Sequence, residues 1–247
     1  HMVVEKPLHE QYFEYLCSVV QGDLGPYMQI SDKSVSELLG EGLPVSLTIG
    51  GLAITLGLFF GVMLGVIAAM RQNSAADYSA MSIAMIGISI PTFVTGPLLS
   101  LVFGVWLHWF AAGGLDLGRM NFQNIFLPIV TLALPQIAII SRLMRASLIE
   151  VLRSNSIRTA RAKGLSEFRI MTRHALPAAI LPVVSYLGPA IVGVITGSVV
   201  IESVFGLPGV GSSFIEGAVT RDYTRVMGAV ILYGGLIILF NLIADIL

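Results

Sequence analysis

Residues 43–70 read LPVSLTIGGLAITLGLFFGVMLGVIAAM, a stretch that contains no charged side chain. A helix needs about 20 apolar residues to cross the hydrocarbon core of a bilayer, and this stretch is longer than that. Gly57, Gly61 and Gly65 recur at every fourth residue, a spacing that lets membrane helices pack closely. The sequence therefore predicts a membrane-spanning helix here.

The rest of the chain repeats this pattern. Five uncharged stretches are long enough to be spans: Leu43–Met70, Tyr78–Leu115, Met120–Ser141, Ala175–Ile201 and Val226–Ala244. Of the 247 residues, 55% are hydrophobic and 12% are charged, whereas soluble domains carry about a quarter charged residues. Because a water-soluble fold of this length could not bury so much apolar surface, we predict an all-α, polytopic transmembrane helix bundle.

The second stretch is too long for one straight crossing. It contains Pro91 and Pro97, and a proline removes a backbone hydrogen bond and can kink a helix. Near its end lie Trp106, His108 and Trp109, and tryptophan favours the membrane–water interface. We therefore predict one long or broken helix followed by an interfacial segment.

Charges outside the spans predict the orientation. The stretch from Arg142 to His174 holds eight of the fourteen basic residues and two acidic ones, whereas the stretch before Leu43 holds two basic and seven acidic ones. The positive-inside rule places the basic stretch in the cytoplasm. Alternation then places residues 71–77 inside, and residues 1–42, 116–119 and 202–225 outside. Since the acidic N-terminal region must cross the membrane, a further span before residue 1 is expected.

Part of the basic loop predicts a short helix. Ser154 is a favoured N-terminal cap, and Gly164 suits the left-handed position at which a helix ends. Ala160 and Gly164 are four residues apart, so we expect them to form one bare face that another protein's surface can approach. Arg158 and Arg161 flank this face with charge. A loop that only binds anionic lipid headgroups would explain the charge, but not this order of residues.

The predicted helix contains a specific run of residues: Arg158, Thr159, Ala160, Arg161, Ala162, Lys163, Gly164 and Leu165. Together with Leu176 and Pro177, this run resembles the cytoplasmic EAA loop of binding-protein-dependent ABC importer permeases. That loop reads E-A-A, three residues, Gly, nine residues, I-x-L-P. Arg158 and Thr159 replace the Glu and the first Ala, and His174 replaces the Ile. The RTARAKG variant is itself typical of the peptide and nickel branch of these permeases.

Other motifs indicate which branch of these permeases the chain resembles. The GDLGP motif at 22–26, followed by Ser34 and Val35, is similar to the extracytoplasmic region of oligopeptide permease B-type subunits. Three motifs resemble the last external segment of those subunits: VIE at 200–202, FGLPGVG at 205–211 and RDY at 221–223. The resemblance extends over residues 8–247 and favours the oligopeptide permeases over those for dipeptides or nickel.

The resemblance implies a type I ABC importer permease fold and a non-enzymatic subunit that moves oligopeptides across the inner membrane. It implies an extracytoplasmic region at 1–42, a transmembrane domain at 43–247 and an ATPase-coupling loop at 150–177. The implied partners are a homologous second permease, two cytosolic ATPase subunits that bind ATP and magnesium, an extracytoplasmic peptide-binding protein and membrane lipids. Nucleic acid is not among them. On this chain we expect no cofactor and no metal, and no Lys follows a Gly, as a phosphate-binding loop would require.

Some assignments stay open at this point. Ser89, Thr92, Ser185 and Ser198 are candidates for lining the peptide path, because they place hydroxyl groups within predicted spans. We expect Glu202, at the edge of a span, to be solvated or bound to a helix end. Alternative functions are a permease of the same type for dipeptides, nickel or glutathione, and a secondary transporter. A secondary transporter is expected to contain an embedded charge or an inverted repeat, and the sequence indicates neither.

Overall fold

A computed structural model describes residues 7–26, 33–115 and 120–246, so the external loop predicted at 116–119 lies outside the described residues. Within the described residues all the regular structure is helical, as predicted. The helices are α1 Leu8–Val20, α2 Val35–Met70, α3 Ala75–Ser89, α4 Thr92–Leu99, α5 Phe122–Leu152, α6 Asn155–Ala162, α7 Glu167–Ile170, α8 Leu176–Ala179, α9 Leu181–Val204, α10 Val210–Thr220 and α11 Tyr223–Ile246. Two π-helical segments, Ser100–Trp106 and Met171–Ala175, follow α4 and α7.

The described helices provide up to five membrane spans, which agrees with the sequence prediction. Helices α2, α5, α9 and α11 are each long and apolar enough to cross a membrane, and the fifth span is a bent pair. That pair joins α3 to α4 and its π-helical segment through a bend of 102°. The bend lies at Ile90 and Pro91, because the residue before a proline is pushed out of the helical conformation. The prediction of a broken helix is therefore confirmed.

Two spans extend beyond the apolar runs that predicted them. Helix α2 begins at Val35, so the predicted division at residue 43 falls inside this helix. The early start has a local cause: the Ser34 hydroxyl accepts the Glu37 N–H at 3.2 Å, and the Glu37 carboxylate accepts the Ser34 N–H at 3.1 Å. This reciprocal pair is a capping box, which stabilises a helix N-terminus. At the other side of the bundle α5 continues past Ser141 to Leu152.

The most extensive helix contact in the bundle joins α2 to α5. A Cβ atom added at Gly61 would stand 2.8 Å from the Ile140 Cβ, and one at Gly65 would stand 2.6 Å from the Met144 Cβ. Gly57 lies equally close to α5. Since real Cβ atoms do not approach this closely, the three glycines set the distance between the two helices. Their interpretation as a packing ladder is confirmed.

Buried side chains form three clusters along the bundle. The central cluster contains Leu132 and Ile201, the cluster at the predicted cytoplasmic end contains Leu148 and Ile157, and a third at the opposite end contains Val210. Many large apolar side chains on the remaining helix faces are exposed. This distribution is typical of a bundle whose outer faces contact lipid or other membrane subunits.

The glycine ladder generates a prediction with an internal control. Replacing Gly61 with Ala should reduce the free energy of unfolding by about 1–3 kcal/mol, because the added methyl group overpacks a full contact. Replacing Gly51 with Ala should not reduce it and should raise it by up to about 1 kcal/mol, because Ala favours the helix and no atom of another helix lies within 4 Å of the added methyl group. Unfolding in detergent micelles, followed by circular dichroism, measures both. Equal stability of the two variants would contradict the ladder.

Candidate functional site

The short helix predicted in the basic loop is present as α6. Ser154 occupies the N-cap position with an extended backbone, although its hydroxyl pairs with the Ser156 hydroxyl at 2.8 Å rather than with a helix N–H. Gly164 follows the last turn with φ +76°, and its N–H donates to the Arg161 carbonyl at 2.9 Å. A glycine in the left-handed conformation ends the helix here, as predicted.

One face of α6 packs against the chain itself. Ile157 is 1% exposed and Ala160 is 7% exposed, and both belong to the cluster that contains Leu148 of α5 and Ile170 of α7. The prediction that Ala160 forms a bare face for another protein is therefore wrong. Small residues four apart indicate a close approach, but they do not indicate which surface approaches. Gly164 is exposed, and no atom lies within 4 Å of a Cβ placed on it.

Arg161 points away from this cluster and pairs with a neighbouring helix. Its guanidinium donates to both Glu167 carboxylate oxygens, at 2.8 and 3.1 Å. This pairing lowers the pKa of the Glu167 carboxyl below its ordinary value. The bidentate ion pair links the end of α6 to the start of α7, so the two short helices form one unit.

The solvent side of this unit forms a surface of mixed character. We use the name loop surface for five exposed residues: Arg158, Ala162, Lys163, Gly164 and Phe168. Phe168 is 79% exposed and is the large apolar side chain of this surface. No sequence motif had singled out this residue as functional. An apolar residue within a stretch of charges was the available signal.

A buried ion pair connects the base of α3 to α5 beside this unit. The Arg145 guanidinium donates from Nε and Nη2 to the two Asp77 carboxylate oxygens, each at 2.6 Å. Asp77 is 1% exposed, and it also accepts the Asn73 N–H at 2.9 Å. The two partners are 68 residues apart, so no sequence pattern indicated the pair. It fixes the turn before α3, which is predicted to be cytoplasmic, to the helix on which α6 packs.

The four candidate path residues do not all line one cavity. Ser198 is buried and lies in the wall of a cavity of about 240 Å³ between α2, α9 and α11. Ser89, Thr92 and Ser185 are not among the residues that line this cavity. The hydroxyls of Ser89 and Ser185 each donate to a carbonyl one turn earlier in their own helix, at 2.9 and 3.1 Å. The prediction that these four residues line a path remains a prediction.

The sequence of this chain matches a known family over most of its length. Residues 61–247 match the family described as "Binding-protein-dependent transport system inner membrane component". The oligopeptide transport system permease protein OppB of Haemophilus influenzae is 50% identical over 244 residues, which are 99% of this chain and 79% of that protein. OppB of Escherichia coli K12 is 51% identical over 230 residues, which are 93% of this chain and 74% of that protein.

Proteins with lower sequence identity to this chain are also transporter proteins. The dipeptide transport system permease protein DppB of Bacillus subtilis is 42% identical over 242 residues, which are 98% of this chain and 77% of that protein. A chain from the inward-facing MetNI methionine ABC transporter has the same fold with a TM-score of 0.71, at 20% identity, over 85% of this chain and 94% of that one. A chain from an amino acid ABC transporter solved with histidines has a TM-score of 0.66, also at 20% identity, over 85% of this chain and 92% of that one.

The ion pair at the base of α3 generates a second prediction. Replacing Asp77 with Asn should reduce the free energy of unfolding by about 2 kcal/mol, because the partly buried Arg145 loses its counter-charge. Adding Arg145→Gln should recover part of this loss, since no unpaired charge then remains.

The exposed contact between Gln72 and Arg153, at 3.0 Å, provides the control. Gln72→Ala lies in the same turn and should change the free energy of unfolding by less than about 0.5 kcal/mol. Unfolding in detergent micelles measures all three variants. An Asp77→Asn variant as stable as Gln72→Ala would show that the ion pair contributes nothing.

Proposed function

We propose that this chain, which belongs to the family of binding-protein-dependent transport system inner membrane components, is a permease subunit of an importer for oligopeptides. Family membership rests on the match over residues 61–247. The observation that carries the substrate class is the identity of about half of all residues to OppB over almost the whole chain. The lower identity to DppB makes dipeptides the second candidate.

The proposed partners follow from what this chain contains. Its described residues form a helix bundle with predicted cytoplasmic turns, and the given sequence holds no phosphate-binding loop, which supports an energy source on another chain. We assign ATP and magnesium to two cytosolic ATPase subunits, and peptide delivery to an extracytoplasmic binding protein. A homologous second permease would complete the membrane part, and the exposed apolar helix faces provide surface for it and for lipid.

Coupling to the ATPases would occur through the loop surface. Its cations and the exposed Phe168 ring combine charge with an apolar anchor, which suits docking into a groove of another protein. Because Ile157 and Ala160 fix α6 to the end of α5, a displacement of α6 has to displace α5. Helix α5 contacts α2 through the glycine ladder, so the same displacement reaches a second span.

Transport would then follow from two arrangements of the bundle. A ligand shifts such an equilibrium only if it binds the two arrangements with different affinity. ATP binding would favour one arrangement through the loop surface, and nucleotide release would favour the other. The peptide path would include Ser89, Thr92, Ser185 and Ser198, whose hydroxyls offer hydrogen bonds without charge. Such a path fits a substrate of variable side chains.

Gly164 provides the test of the coupling step. In the intact importer, Gly164→Val should reduce peptide-stimulated ATP hydrolysis about tenfold, equivalent to ~1.4 kcal/mol. The β-branched side chain strains the left-handed backbone and projects from the loop surface, where it meets the partner. Insertion and assembly should be preserved, because no atom beyond the adjoining residues lies within 4 Å of a Cβ placed on Gly164.

Gly22 is the matched control. It has φ +84°, and no atom lies within 4 Å of a Cβ placed on it, but it lies in the predicted extracytoplasmic region. Gly22→Val therefore introduces the same backbone strain away from the ATPases and should leave hydrolysis unchanged. Gly164→Asn should lose less of the peptide-stimulated ATP hydrolysis than Gly164→Val, since Asn tolerates the left-handed conformation. Normal hydrolysis in Gly164→Val would exclude this surface as the coupling element.

Uptake by reconstituted vesicles tests the substrate class. The complex purified through this chain should contain ATPase subunits and should accumulate a labelled tripeptide only with ATP and the binding protein. Unlabelled tripeptide and pentapeptide should compete at least about tenfold better than a dipeptide, glutathione or nickel, a difference of ~1.4 kcal/mol. Equal competition by the dipeptide would reassign the substrate, and a complex without ATPase chains would exclude the importer.

A further inference from the structure

Glu202 is a fully buried carboxylate near the end of a membrane span. It lies in the last turn of α9, and its side chain is 0% exposed. Its Oε2 atom accepts the Gly211 N–H at 2.8 Å and the Ser212 N–H at 3.3 Å. These amides belong to the first turn of α10. The expectation of a bond to a helix end is confirmed, whereas the expectation that Glu202 is solvated is wrong.

A second span holds the same end of α10. The Ser46 hydroxyl of α2 accepts the Val210 N–H at 3.0 Å. A Cβ added at Gly42 of α2 would stand 2.9 Å from the Gly209 carbonyl carbon, so the two backbones are in direct contact. The N-terminus of α10 is therefore bound on one side by α9 and on the other by α2.

Capping of α10 alone does not account for a buried carboxyl group. A serine or aspartate at the N-cap position usually stabilises a helix by about 1 kcal/mol, and α10 has Gly209 there instead. Taking a carboxylate out of water costs several kcal/mol, which amide donors and the positive end of a helix dipole offset only in part. The chain therefore uses a costly long-range contact where a local cap would suffice, which indicates that the contact between the two helices matters.

The carboxyl group also has unfulfilled hydrogen-bonding capacity. Its Oε1 atom has no hydrogen-bond partner among the described residues, and the same holds for the Tyr233 hydroxyl of α11. The Tyr233 oxygen and the Glu202 Oε2 lie 2.9 and 3.0 Å from the point where a Cβ on Gly211 would stand. An unsatisfied buried polar group costs about 1–3 kcal/mol. The contact of Glu202 with α10 therefore has a cost in stability.

The segment that Glu202 holds connects several parts of the predicted extracytoplasmic end. We call residues 205–221 the outer hairpin. The Phe205 carbonyl accepts the Gly114 N–H at 2.6 Å, and the Phe205 ring packs against Gly96 of α4. The outer hairpin thus contacts the broken span as well as α2 and α9. A movement of α2 that is transmitted to α10 reaches this whole end of the bundle.

We propose that Glu202 is a positioning residue of the transport cycle, whose carboxylate makes the outer hairpin move with α2 and α9. The loop surface displaces α5, and the displacement passes to α2 through the glycine ladder and to α9, which packs against both helices. Ser46 of α2 and Glu202 of α9 then transmit it to α10. This inference rests on the proposed function, because it requires an ATPase-driven change. Beyond the proposed function, this inference explains how movement of the long helices reaches the extracytoplasmic end of the bundle.

The test uses the intact importer with its binding protein and a tripeptide. Cys17→Ser removes the single cysteine, and Val219→Cys then places a fluorescent label on α10, where residue 219 is 78% exposed. A second variant carries the label at Ser156→Cys on α6. In both, a non-hydrolysable ATP analogue should change the fluorescence. Absence of any change, together with absence of uptake, would defeat the proposed function and this inference with it.

Glu202→Leu should affect the fluorescence responses at the two labels differently. We expect the response on α10 to fall about fivefold or more while the response on α6 persists, because only the outer connection is lost. Glu202→Gln retains an oxygen that can accept from Gly211 and should restore part of the α10 response. If Glu202 had a purely structural role, the fluorescence responses at both labels would fall together with the amount of assembled complex.

The outcomes are decisive even if Glu202→Leu fails to assemble, because Glu202→Gln then carries the test. A reduced α10 response with an intact α6 response supports the inference. Glu10→Gln is the control, because it removes an exposed carboxylate of α1, on the same predicted side of the membrane. Glu10→Gln should leave the fluorescence responses at both labels unchanged. A full α10 response in Glu202→Gln, or an equal loss at both labels, would overturn the proposal.

Discussion

Close packing between α2 and α5 underlies the other contacts of this bundle. In a bilayer, lipid tails are as apolar as leucine, so helices associate through close packing rather than through burial of apolar surface. Gly57, Gly61 and Gly65 allow this approach because they have no side chain to separate the backbones. The two longest helices of the described residues thereby form one rigid pair that spans the membrane. Movements imposed at either end of this pair are shared by both helices.

The predicted cytoplasmic end of the pair is shaped by two contacts of different character. Apolar packing of Ile157 and Ala160 fixes α6 to α5, and the ion pair between Asp77 and Arg145 fixes the base of α3 to the same helix. The apolar contact leaves the charged and aromatic loop surface free to face the solvent. A short helix that is fixed on one face and exposed on the other is suited to transmit a push from a soluble partner.

The opposite end uses buried polarity for a comparable purpose. Glu202 and Ser46 bind the first turn of α10 from two spans, and hydrogen bonds with defined geometry join these elements more specifically than apolar contact would. Both ends of the α2–α5 pair are therefore attached to short helices that lie outside the long spans. This arrangement gives a continuous physical connection from the loop surface to the outer hairpin.

Sequence patterns were sufficient to predict the membrane bundle, the break near Pro91, the glycine ladder, the end of α6 at Gly164 and the family. Each of these depends on local composition, on spacing along one helix or on a contiguous motif. Three further features emerged from the packing of distant segments: Ala160 faces inward, Asp77 meets Arg145, and Glu202 is buried against α10. Helical periodicity shows which residues share a face, but the partner of that face comes from a distant part of the chain. The same distant partner determines which ionisable side chains are buried. Local sequence therefore cannot indicate which of them are buried.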